Sequence, residues 1–171
     1  ISFESGLKTR YHSLQVGINR PFTKGLLIKG AYTWSKARNM ADDDGAGVSF
    51  NSPSEFARNM ALAGYDRTHN FHVGVVYQLP WQSDNGHGNI LRAAVNDWQI
   101  NGTFAAFSGT PFSVTANGAI VNMPGNMQTA DLVGTVERLG EVGASGVYYD
   151  PAAWAQPQGV RFGNTGRNQF R

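Results

Sequence analysis

The chain has 171 residues, a formal net charge of +2, 21 glycines and no cysteine. Charged residues make up 15% of it, against about 25% in ordinary soluble domains, and aromatics reach 12%. This excludes a disulfide framework, a thiolate metal site and a cysteine nucleophile. It suits a transmembrane β-barrel or a soluble β-sandwich better than a helical enzyme.

Residues 11–22, YHSLQVGINRPF, alternate apolar Leu14, Val16 and Ile18 with Gln15, Gly17 and Asn19, which predicts a strand. Thr23-Lys24-Gly25 follows, with a glycine suited to positive φ. The next strand, 26–36, carries Leu26, Ile28, Tyr32 and Trp34 on one face with Gly30, and Lys29, Thr33 and Ser35 on the other. The two strands are expected to form an antiparallel hairpin.

Residues 37–67 break the alternation with Asp42-Asp43-Asp44-Gly45, Asn51-Ser52-Pro53 and FARNMALAG, the last expected to form about two helical turns. Alternation resumes at 69–80. His69, Phe71, Val73, Val75, Tyr77 and Leu79 share one face, and Asn70, His72, Gly74 and Gln78 the other, with Val76 as the exception. After a connection at 81–97, a strand is expected over 98–115, bulged at Ser108-Gly109-Thr110-Pro111, where proline lacks a ladder donor. Residues 116–160 form a second long irregular segment. The closing VRFGNTGRNQFR is expected to begin another strand and turn.

Each strand thus has one greasy and one wet side, the pattern of a strand between lipid and a watery lumen. A lipid-facing lysine at the bilayer midplane would cost about 2–4 kcal/mol, so the phase of Lys29 opposite Ile28 and Tyr32 supports the assignment of faces. Trp34, Tyr77, Trp81 and Trp98 fall near strand ends, where aromatics with a polar handle suit the membrane interface. The connections run short, long, medium, long. Outer-membrane barrels have short periplasmic turns and long extracellular loops. Segments 23–25 and 81–97 are therefore expected on the periplasmic side, and 37–67 and 116–160 outside. No run approaches the roughly 20 apolar residues of a membrane helix, which a barrel would not contain.

No catalytic constellation converges. There is no G-x-S-x-G elbow, and Gly163-Asn164-Thr165-Gly166-Arg167 lacks the Lys-Ser/Thr ending of a phosphate loop and reads as a turn. His69 and His72 point to opposite faces and cannot share an ion. Asp42, Asp43 and Asp44 lack the spacing of a calcium loop. Asp42 and Asp44, with Asp66, are at most weak Ca²⁺ candidates, and a solvated acidic tip is the competing reading. Asp66 and Arg67 stand where the first long segment enters its strand, as structural anchors or as contacts at a barrel mouth. Basic residues are scattered, so no nucleic-acid partner is expected. No cofactor is implied.

The runs SLQVGINRPFTKGLLIKGAYTWSKA, AGYDRTHNFHVGVVYQLP, DWQINGTFAAFSGTPFSVTA and VRFGNTGRNQFR, in this order, resemble the later barrel region of TonB-dependent receptors. The Oar-like subgroup, which carries a carboxypeptidase-regulatory-like domain, is the most similar. The resemblance covers nearly the whole chain. It implies an outer-membrane barrel of about 22 strands around an internal plug. Such a protein takes up a large substrate with energy passed from the TonB complex.

The expectation is therefore an all-β chain, a partial antiparallel transmembrane barrel of about five strands with two long loops. Residues 1–171 would be a fragment of the barrel domain, with the plug and N-terminal domains lying elsewhere, in the outer membrane of a Gram-negative bacterium. The protein would not be an enzyme. It would contact outer-membrane lipid, a transported ligand, and TonB through regions outside this chain. Candidate ligand contacts in the extracellular loops are Asp42, Asp43, Asp44, Phe50, Tyr148, Tyr149 and Trp154. A passive porin-like or adhesion barrel, and a soluble β-sandwich that binds carbohydrate, are the alternatives.

Overall fold

Strands form where the period of two is cleanest. The computed structural model describes residues 6–42, 48–80, 96–141 and 146–171. In chain order its strands are β1 (Thr9–Thr23), β2 (Leu26–Asn39), β3 (Ala61–Leu62), β4 (His69–Gln78), β5 (Gln99–Phe107), β6 (Asp131–Leu132) and β7 (Trp154–Ala155). Three short 3-10 turns, at Phe56–Asn59, Gly118–Ile120 and Pro151–Ala153, are the helical elements among the described residues. The chain is all-β and antiparallel, as expected.

The chain divides into two compact units. The first comprises His12–Lys36 and Arg67–Ser108 and holds the main sheet, in the order β1-β2-β4-β5. Lys24 and Gly25 join β1 to β2 as a two-residue turn, with φ of +52° and +76°. Positive φ at both central positions gives the right twist for a tight hairpin, and glycine adopts it at no steric cost. The Gly25 carbonyl then accepts the Gln78 amide at 2.7 Å, tying the turn to the end of β4.

β2 and β4 pair over nine consecutive rungs, from Leu26↔Tyr77 to Trp34↔His69. β4 and β5 pair over nine more, from Asn70↔Phe107 to Gln78↔Gln99. These four strands do not close into a barrel. Their sheet keeps open edges on β1 and β5 among the described residues.

The second unit comprises Ile1–Tyr11, Ala37–Asp66 and Gly109–Arg171. Here the end of β2 pairs with β3 (Arg38↔Leu62, Asn39↔Ala61), and β6 pairs with β7. Its interior is small and polar. Phe50, Ala63, Ala130 and Ala153 are buried, but so are Asn39, Asn59, Asp66, Thr129, Thr165 and Arg167.

Three sequence expectations change. β5 ends at Phe107 rather than 115. The Ser108 amide donates to the His69 carbonyl and the Ser108 Oγ accepts the His69 amide, closing the last rung. Beyond it Pro111 has no amide to continue the ladder. The break expected as a bulge is thus an exit, and Phe112 bridges to Phe170 instead. FARNMALAG makes a single 3-10 turn and then β3, because the Asn59 side chain captures the Phe50 amide and the carbonyls of Phe50 and Phe56. The closing VRFGNTGRNQFR is not a strand. Its backbone and side chains bond to several segments in turn, and only Phe170 makes a β-bridge.

Candidate functional site

The sheet is a wall with two chemically distinct faces. Directly opposed residues point to the same side of a sheet. The register therefore sets Ile28, Val75 and Gly102 in one row, Gly30, Val73 and Phe104 in the next, and Tyr32, Phe71 and Ala106 in a third, all on the apolar face. An added Cβ at Gly30 would lie 3.1 Å from Ile18 Cγ2, so β1 contributes Ile18 to the same face. These side chains stay open: Leu14, Val16, Ile18, Ile100 and Phe104 are each more than half exposed. A contiguous apolar surface of this kind marks contact with lipid or a partner.

The opposite face carries Lys29, Thr33, Asn70, His72, Thr103 and Asn101. A concavity crosses the strands around the Gly30, Val73 and Phe104 row and Ile18, with residues of the flanking rows, Lys29, Gly74, Ala31 and His72, also in its lining. The nine paired residues from Leu26 to Trp34 span about 26 Å along the strand. β4 and β5 hold 10 and 9 residues, matching the roughly 9–11 that a tilted membrane strand requires. Trp34 closes one end of the apolar face. Tyr77 closes the other, where the Leu79 amide bonds the Trp98 carbonyl. Near the Trp34 end the Tyr32 hydroxyl lies 2.8 Å from His69 Nδ1. Trp81 lies outside the described residues.

In the second unit the conserving force is hydrogen bonding to buried charge. Arg167 is 4% exposed, and its terminal nitrogens donate to Asp42 Oδ2, to the Asn39 carbonyl and Oδ1, and to the Asn59 carbonyl. Asn168, held at φ +50°, donates from its amide side chain to Asp42 and to the Leu62 carbonyl. Arg58 stacks over the Phe50 ring at 4.6 Å, pairs with Glu55, and donates to the carbonyls of Gly163 and Thr165. Asp66 accepts the Ala37 amide at 2.6 Å and pairs with Arg171. Asp131 and Arg161 form a further pair, and the Arg161 hydrogen bond holds the Asp131 carboxyl below its usual range. Gly163 admits no side chain, since a Cβ there would stand 2.0 Å from the Thr129 carbonyl oxygen.

The candidate loop residues fall in different places. Asp42 is engaged by Arg167, Asn168, Asn39 and the Gly64 amide. Its oxygens face donors and a guanidinium, an environment opposed to Ca²⁺, and among the described residues no group of three His, Asp or Glu could hold a metal. Asp43 and Asp44 lie outside the described residues. Phe50 is completely buried against Phe162 and Arg58 and offers no surface to a ligand, which corrects its expectation as a ligand contact in an extracellular loop. Tyr148, Tyr149 and Trp154 are half-buried and join Phe112 and Phe170 in one aromatic cluster. The Tyr149 hydroxyl donates to the Arg171 carbonyl. Asp66 anchors the segment end, and Arg67 lies 5.2 Å from the Phe107 ring.

Sequence reasoning passed over Arg58, Asn59, Gly163, Thr165, Arg167 and Asn168. The available signal was the FGNTGRN string itself. An arginine and an asparagine inside a glycine-rich turn supply many donors with no local acceptors, which points to distant partners.

A two-faced, tilted-strand-length antiparallel wall with aromatics at both rims defines a segment of an outer-membrane β-barrel. Comparison with known families agrees: the family described as an outer membrane beta barrel domain matches residues 2–171, and the chain belongs to it. No curated protein and no solved structure matches. The protein resides in the outer membrane of a Gram-negative bacterium.

Proposed function

We propose that the chain is part of a TonB-dependent receptor of the Oar-like kind, which captures a large substrate at the cell surface and admits it through a plugged barrel. The observation that carries this reading is the second unit. Ala37–Asp66 and Gly109–Arg171 are elaborate, internally bonded segments rather than short turns. An apparatus of this size suits ligand capture. The four quoted motif runs, in receptor order, support it further. Asp42, Tyr148, Tyr149 and Trp154, with Asp43 and Asp44, remain the proposed contacts on the ligand side. The protein acts without covalent chemistry, cofactor or nucleic acid. Its partners are lipid, the ligand and the TonB complex.

A passive barrel is the second reading. The polar residues that the register sets on one face, Lys29, Thr33, Asn70, His72, Asn101 and Thr103, suit an open watery lumen equally well.

Planar-bilayer recording of the full-length gene product separates the two. A plugged receptor conducts little until urea unfolds the plug, and it binds the periplasmic domain of TonB in detergent. Steady conductance without urea, with no TonB binding, would overturn the receptor reading in favour of the passive one.

A further inference from the structure

Every fixed charge in the four long strands of the wall is positive. β1, β2, β4 and β5 hold no Asp or Glu, and no residue of these strands lies outside the described ones. The register decides how these charges are presented. Lys29 stands opposite Gly74, and Gly74 opposite Thr103, in one row of the polar face. Gly74 leaves the space beside Lys29 open, since a Cβ added there would find its nearest atom at 3.8 Å. Lys29 is exposed and is the fourth of the nine β2 residues paired with β4. It therefore stands near the middle of the wall, on the side away from lipid, where no headgroup reaches it.

The same face carries a second cation at the end of the wall. Phe107 pairs with Asn70, on the polar side. The Arg67 guanidinium lies 5.2 Å from the Phe107 ring centroid, and the His72 imidazole meets that ring edge-on at 5.0 Å. These contacts set Arg67 and His72 on the face that holds Lys29. His72 and Lys29 are diagonal neighbours, about 7–8 Å apart along the sheet. Arg67 is exposed, and neither Arg67 nor Lys29 makes an ion pair among the described residues. The Phe107 ring holds the guanidinium in place without neutralising it.

We propose that the polar face of this wall attracts anions: Lys29 in mid-strand and Arg67 beside Phe107 receive a carboxylate or phosphate group, carried by a passing solute or by a segment seated inside the barrel. Cations fixed on a low-dielectric wall concentrate anions beside it and repel other cations. Lumen-facing Lys and Arg select anions in membrane pores for this reason. An amide or hydroxyl of the wall cannot take the anion's place, because it brings no charge. The inference needs a barrel but not an energised one.

The test reads the local potential with two thiol reagents of the same reactive group, one ending in a sulfonate and one in a trimethylammonium. Gly74→Cys, opposite Lys29, and Ala105→Cys, opposite His72 and two residues from Phe107, are placed one at a time in the full-length protein, in vesicles of uncharged lipid, with any other cysteine replaced by serine. The ratio of the two rates, divided by the same ratio for 2-mercaptoethanol, cancels the reactivity of the thiol itself. It is expected to exceed one at both positions. Lys29→Gln should lower the Gly74→Cys ratio about threefold in 0.1 M salt, the effect of one unit charge about 7 Å away. Arg67→Gln should lower the Ala105→Cys ratio similarly, and Lys24→Gln, in the hairpin turn, should change neither. Each variant replaces an exposed residue and is expected to keep the melting midpoint of its cysteine background. A preference seen in the native protein assigns the face to a passing solute. One that emerges only when urea unfolds a plug, with the barrel still folded, assigns it to a carboxylate seated in the lumen. A ratio at or below one with and without urea, a ratio unmoved by both Lys29→Gln and Arg67→Gln, or thiols that neither reagent reaches in either condition would overturn the proposal.

Discussion

Arg167 Nη1 donates to Asp42 Oδ2 at 2.7 Å, joining residues 125 positions apart in the chain. The arginine side chain is 3% exposed and the aspartate side chain 37%, so the pair links a buried cation to a carboxylate that solvent still reaches. Asp42→Asn would leave the guanidinium with weaker compensation. The expected loss is about 2 kcal/mol, below the roughly 3–5 kcal/mol of a fully buried pair because of solvent screening. Chemical unfolding of the full-length protein in detergent, followed by fluorescence, measures it. A loss below the error of the fit would show that the pair carries no stability.

The same residue sets a pH dependence. Burial pushes the Asp42 carboxyl up, but the Gly64 amide, Asn39, Asn168 and Arg167 together outweigh it and hold the group below its ordinary value. The unfolded chain then takes up the proton first as acid is added. The stabilisation is fully present above the unfolded value of about 3.9 and is lost as pH falls through the depressed folded value. Melting midpoints taken from neutral pH down through that window should fall faster for the parent than for Asp42→Asn. Parallel curves would remove Asp42 from the account.

Gly163→Ala should damage the second unit severely, because the new Cβ would meet backbone rather than a movable side chain: the Thr129 carbonyl oxygen at 2.0 Å and that of Ala130 at 2.5 Å. The expected cost is about 3 kcal/mol, the upper end of the overpacking range. Gly118→Ala, whose Cβ would find its nearest neighbour at 3.9 Å, is the comparison and should be nearly neutral. Limited proteolysis of the two variants side by side reads the difference. Equal resistance would contradict the close approach.

The two faces of the wall predict an asymmetry. Val73 and Thr103 occupy neighbouring strands, the first in the apolar row with Gly30 and Phe104, the second opposite Gly74 on the polar side. Val73→Lys should cost about 2–4 kcal/mol of folding stability in a bilayer, whereas Thr103→Lys should cost far less. Folding titrations of the full-length protein into phospholipid vesicles compare them. If Thr103→Lys proved the costlier, the faces would be reversed.

Trp34 and Trp98 belong to opposite ends of the wall. With the other tryptophans replaced by Phe, each should be quenched more by lipids brominated near the headgroup than by lipids brominated deep in the chains. Deep quenching of either would move it off the interface.

The wall was legible because its signal is local. Alternation needs only neighbouring residues, so Leu26, Ile28, Tyr32 and Trp34, and their counterparts Tyr77, Val75, Phe71 and His69, sort onto one face from sequence alone, and the observed register sets them opposite one another. The Lys24-Gly25 turn was legible for the same reason, since its φ requirement is met within two residues. The end of β5 was less so. Pro111 announces a break, but whether the chain bulges and resumes or departs depends on Phe170, a residue far along the chain.

The amino-acid sequence by itself determined the class of strand, its two faces, the tight hairpin and the aromatic rims, because a pleated backbone converts parity directly into sidedness. Only the tertiary structure decided what the long segments do. It buried Phe50, engaged Asp42 with Arg167 and Asn168, gave Arg58 the carbonyls of Gly163 and Thr165, and required Gly163 to lack a side chain. The Arg58, Arg167 and Asn168 bonds join donors and acceptors separated by 105 to 126 residues, and Gly163 approaches a carbonyl 34 residues away. No local periodicity encodes them, because a hydrogen bond depends on where two groups meet in space and not on how far apart they lie along the chain.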